Sequence, residues 1–71
     1  MNWVEKKYPV GTRVQVPDMR TGELADAEVI GHYLGGGFQT RHVAGIAVMF
    51  DDHHTQRVAA AFLDEDGNSR A

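Results

Sequence analysis

The longest unbroken apolar run, residues 43–50, reads Val-Ala-Gly-Ile-Ala-Val-Met-Phe. It is far short of the ~20 residues a membrane-spanning helix needs. Read as a strand, it sets Ile46, Val48 and Phe50 on one face and Gly45, Ala47 and Met49 on the other, so neither side is plainly wet. Such a strand must be covered on both sides, by its own barrel or by a second subunit. The chain has only 71 residues with which to do this. A domain of that size buries only about 60% of its unfolded surface and often needs added support. The sequence contains no cysteine, which removes disulfides, thiolate metal sites and cysteine nucleophiles. Association with further copies is the support that is left.

The neighbouring segments share the period of two that marks strands. Val10, Thr12, Val14 and Val16 alternate with Gly11, Arg13 and Gln15, until Pro17-Asp18 ends the strand. Ala25, Ala27, Val29, Gly31 and Tyr33 line one face of a second strand, opposite Asp26, Glu28, Ile30 and His32. Gly35-Gly36-Gly37 breaks it, because adjacent glycines are entropically costly inside an element. Asp51–His54 reads as a polar turn, residues 55–60 as a weaker fourth strand, and Ala59-Ala60-Ala61-Phe62-Leu63 as a short helical turn. Tyr33, Phe50 and Phe62 are the aromatic candidates for the core. The expected fold is all-β: a small SH3-like barrel of about five short antiparallel strands. It spans residues 1–64, followed by a polar, flexible tail over 65–71.

The formal charge of −3 opposes generic binding to nucleic acid or an acidic membrane, although Lys6, Lys7, Arg13 and Arg20 give the N-terminal third a basic character. With neither a membrane span nor a secretory leader in the pattern, a cytoplasmic protein is expected. Catalytic signatures are missing. Ser69 falls in the polar tail, no nucleophile elbow exists, and the glycine run lacks both the Walker and the Rossmann spacing. Asp51-Asp52-His53-His54 gathers four metal-capable residues, but neighbours on an extended chain point apart, so no metal site is assigned. The glycine loop presents Phe38, Arg41 and His42 as candidate partner-binding residues, for a protein or a nucleic acid. Ala47, Met49 and Gln56 form the candidate self-association face.

Four short stretches carry a family resemblance over about residues 11–65: Gly11-Thr12-Arg13-Val14, Val29-Ile30-Gly31-His32-Tyr33, Ile46-Ala47-Val48 and residues 57–63. Their order resembles that of the plasmid-encoded type II dihydrofolate reductases. The resemblance implies an SH3-like barrel assembled as a homotetramer, with NADPH and dihydrofolate sharing a central pore lined by a Val-Gln-Ile-Tyr motif. The corresponding stretch here is Thr55-Gln56-Arg57-Val58, which would make Gln56 and Arg57 the cofactor-binding residues. Gln56 matches the motif, whereas Arg57 stands in place of isoleucine and Val58 in place of tyrosine. The expected function is therefore a non-catalytic, self-associating interaction domain, and a diverged NADPH-dependent reductase is the alternative.

Overall fold

The computed structural model describes residues 3–35 and 42–64. A short helix α1 (Trp3–Lys7) is followed by four strands, β1 (Arg13–Pro17), β2 (Leu24–Gly35), β3 (His42–Phe50) and β4 (Thr55–Ala59), and by a 3₁₀ turn at Ala60–Phe62. All strand pairings are antiparallel between successive strands, giving one sheet in the order β1-β2-β3-β4. The all-β expectation and the helical turn near residues 59–63 are thus seen. The described residues form four strands rather than about five, in a sheet that is open, because β1 and β4 do not pair as strands. Ahead of β1, Trp3–Lys7 form the helix. No helix among the described residues is long and apolar enough to cross a membrane.

One face of the sheet is the core. Val14 and Val16 of β1, Ala27 and Val29 of β2, Ile46, Val48 and Phe50 of β3, and Val58 of β4 are buried there with Val4, Tyr8 and Leu63. This is the alternation of the sequence made physical. Strand β1 begins three residues later than its pattern suggests. Pro9 O accepts from both Thr12 N (3.1 Å) and Thr12 Oγ1 (2.6 Å), closing a turn that leaves Val10 63% exposed.

Tyr8 fastens the two ends of the fold. Its ring is fully buried, edge-on to Trp3. Its hydroxyl donates to Asp64 O at 2.9 Å and accepts from Asp64 N at 3.2 Å. Its backbone carbonyl also lies 2.6 Å from His32 Nε2.

The second strand departs from simple alternation. Its register with β3 shifts between Val29 and Gly31 and again between Tyr33 and Leu34. An inserted residue turns the following side chains to the opposite face. Accordingly Val29 pairs with buried Val48, while His32 takes the register position opposite buried Ile46 and Tyr33 the one opposite Gly45. Tyr33 is therefore only half-buried, outside the core its pattern suggests. Phe62 is also displaced from that role. It is 61% exposed, and Tyr8 and Leu63 fill the core in its place.

Candidate functional site

Two turns at one end of the sheet are locked together by charge. In the β1–β2 turn, Asp18 O accepts from Thr21 N (3.1 Å) and Gly22 N (2.6 Å), and Asp18 Oδ1 accepts from Arg20 N (2.9 Å). Gly22 adopts φ 78°, the left-handed conformation that closes this turn. The Arg20 guanidinium grips the Asp18 carboxylate with two hydrogen bonds, at 3.2 and 2.9 Å, and reaches Asp52 Oδ2 in the β3–β4 turn at 2.9 Å. It also lies 5.9 Å from the centre of the Phe50 ring. Its hydrogen bonds hold both Asp18 and Asp52 below the ordinary carboxyl value and push Arg20 itself up.

The Asp51-Asp52-His53-His54 turn disperses its ligand-capable side chains. Asp51 faces Arg13 at 3.4 Å, Asp52 faces Arg20, and His54 stacks on Phe50. His53 turns the chain with φ 68°. Among the described residues no three His, Asp or Glu side chains converge on a metal.

The opposite feature is the open seam between β4 and the end of β1. Gln56 crosses it: its side-chain Nε2 donates to Pro17 O at 2.8 Å, and its Oε1 accepts from Met19 N at 2.9 Å. One primary amide thus makes the donor and acceptor contacts that a paired strand would supply. Beside this bridge lies a groove of about 310 Å³, lined by Pro17, Met19, Tyr33, Arg57, Ala59 and Phe62 together with Gln56 and Val58. That volume is at the lower end of ordinary ligand sites. Met19 is 80% exposed and Phe62 61%, so two large apolar side chains flank the groove without covering it.

Tyr33 forms part of the groove because Gly45 lets it come close. A Cβ at Gly45 would collide with Val58 O and lie 2.7 Å from two atoms of the Tyr33 side chain. The Arg57 guanidinium sits over the Tyr33 ring, 5.3 Å from its centre. None of the ion pairs seen among the described residues involves Arg57. A second hollow, lined by Ile30, Ala47, Thr55, Gln56 and Arg57, adjoins it on the outer face of the sheet.

The sequence-derived candidates are dispersed. Gln56 and Arg57 both line the seam groove, although the Gln56 amide is committed to Pro17 and Met19. His42 opens β3 as an exposed residue. Phe38 and Arg41, with most of the glycine loop, lie outside the described residues, as does the 65–71 tail. Of the four N-terminal basic residues, Arg13 and Arg20 are paired to carboxylates, while Lys6 and Lys7 are exposed on α1. Ala47 and Met49 are half-buried. Sequence reasoning missed the contributions of Met19, Pro17 and Tyr33. The available signal was Gly45, since an isolated glycine in an apolar strand marks close approach by another group. No family model, curated protein or solved structure matches this chain.

Proposed function

We propose that this chain is a non-catalytic, SH3-like interaction domain that receives a protein partner in the groove between β4 and the end of β1. The observation that carries the reading is the groove itself, flanked by Met19 and Phe62 and containing an aromatic ring under a guanidinium. Exposed apolar side chains around a concave site are characteristic of recognition surfaces. The polar groups of the groove are suited to binding rather than to chemistry. The Gln56 amide carries the fold, and the Arg57 guanidinium offers hydrogen-bond donors and no acceptor. The test is selection from a random peptide library displayed on phage. The wild-type chain is expected to enrich binders that a Met19→Glu/Phe62→Glu variant loses. Equal enrichment on both proteins would remove the groove from the function. NADPH oxidation in the presence of dihydrofolate is expected to stay at the background rate; turnover would instead establish the reductase alternative.

A second surface supports self-association. Ile30, at 41% exposure, lines the outer hollow together with Ala47. Copies of the chain meeting there would cover the side of β3 that its own core leaves half open. Sedimentation velocity at tens of micromolar is expected to show a species heavier than the monomer, lost in Ile30→Glu. A monomer across that range would reject this surface.

A further inference from the structure

We infer that the occupant of the seam groove is an extended segment of another protein carrying an acidic side chain between apolar ones, its carboxylate seated on Arg57. This rests on the groove being the binding site and names what the site selects.

The shape argues for an extended chain. Gln56, Arg57, Val58 and Ala59 are consecutive lining residues on one strand, so the groove follows a strand edge for about 10 Å at the usual rise per residue. Three or four extended residues match that length. Among the described residues the strand is also an edge of the sheet, paired as a strand to β3.

The charge argues for a carboxylate. Among the described residues, the groove lining contains a single charged one, Arg57, beside Pro17, Met19, Tyr33, Gln56, Val58, Ala59 and Phe62. Its guanidinium is preoriented over Tyr33 and has the fork geometry that receives a carboxylate through two hydrogen bonds. Met19 and Phe62 offer apolar contact to the flanking side chains.

Two other occupants fit less well. A nucleic-acid strand needs several cations along its backbone, and the described residues give this groove one, in a chain of net charge −3. A second copy meeting this groove through its own would repeat the same patch on both sides, and the described lining of that patch holds no carboxylate to meet Arg57.

The test extends the peptide selection to charge reversal. The library is panned in parallel on the wild type and on Arg57→Glu, whose exposed position leaves the strand intact, with circular dichroism confirming the fold. Wild-type selectants are expected to carry Asp or Glu at one position flanked by apolar residues. Those from Arg57→Glu are expected to carry Lys or Arg at the equivalent position. A synthetic wild-type selectant should bind Arg57→Gln about tenfold more weakly than the wild type, the loss expected for a charge-assisted pair. Enrichment on both proteins with the same charge pattern overturns the acidic segment while leaving the groove as a binding site. No enrichment over bare support on either protein overturns both readings. Binding of a labelled thymidine dodecamer that Arg57→Glu abolishes, without peptide enrichment, assigns the groove to nucleic acid and overturns the inference.

Discussion

Two arginines mark a closed region and an open one that meet in the β1–β2 turn, where Met19, between Asp18 and Arg20, lines the groove. Arg20 and Arg57 each lie against an aromatic ring, Phe50 and Tyr33 respectively, at 5.9 and 5.3 Å from its centre. Arg20 is in addition held by two carboxylates, one of them from Asp18, which is only 6% exposed. Arg57 takes part in no ion pair seen among the described residues. The same side chain on the same kind of platform therefore serves two purposes. At the turns the guanidinium uses its donors to tie two hairpins together, whereas at the seam it keeps them facing a groove. A cation whose donors are met within the fold is a structural part, and one left facing an apolar hollow marks a recognition surface.

The open region depends on one glycine more than on either arginine. Gly45→Ala is expected to be the most damaging change, because its methyl group would strike the Val58 carbonyl and the Tyr33 ring. Overpacking of this kind costs about 1–3 kcal/mol, and the backbone collision places this case at the upper end. Denaturant unfolding measures the loss, which for so small a domain is a fall in Tm of about 10 °C or more. If Gly45→Ala folds with wild-type stability, Tyr33 is not held where the groove requires it.

Next comes the bridge. Gln56→Ala removes both hydrogen bonds across the seam, to Pro17 O and from Met19 N. The expected cost is about 1–2 kcal/mol, the net value of two such bonds. Amide exchange should accelerate at Met19, while Tyr8 and Val48 in the core remain protected. A loss of protection throughout the sheet would mean that the seam holds the entire fold rather than one edge.

The arginines themselves give the direct comparison. Arg20→Gln is expected to lower Tm and leave peptide binding intact once folded, and Arg57→Gln to do the reverse. Acid sharpens the contrast. Folding lowers the carboxyl pKa values of Asp18 and Asp52 from 3.8, chiefly through hydrogen bonds from Arg20. Their stabilising contribution is therefore fully present above that value and is lost as the pH falls through the lower folded values. Below about pH 4 the wild type and Arg57→Gln should lose stability with the same slope, and Arg20→Gln with a shallower one. Identical slopes in all three would deny Arg20 its structural part.

Much of the fold was legible because burial follows alternation wherever strands pair without interruption. Val14, Val16, Ala27, Val29, Ile46, Val48 and Phe50 all lie in the core that their spacing implies. Tyr33 was not legible, since one residue inserted near Ile30 reverses the faces that follow, and a register shift depends on both strands. The core role of Tyr8 was hidden for a different reason. Its partner, Asp64, is at the other end of the described chain, and no local pattern reports such a contact. Gln56 and Arg57 were singled out by resemblance, yet the physical role of Gln56 emerged only when the open seam was seen.

The smallest expected effect returns to the closed region, at its β3–β4 turn. His53 holds φ 68° between Asp52 and His54, with its N–H donating to Phe50 O at 2.9 Å and Phe50 N donating to His54 O at 2.8 Å. A side chain in the left-handed region costs about 1 kcal/mol, and glycine relieves that at an entropic cost of about 0.5 kcal/mol. His53→Gly should therefore stabilise the chain by about 0.5 kcal/mol in denaturant unfolding, with peptide binding at the seam unchanged. Destabilisation instead would show that the His53 side chain contributes contacts to the turn that outweigh its backbone strain. The closed region would then rest on more of this turn than the pairing of Asp52 with Arg20.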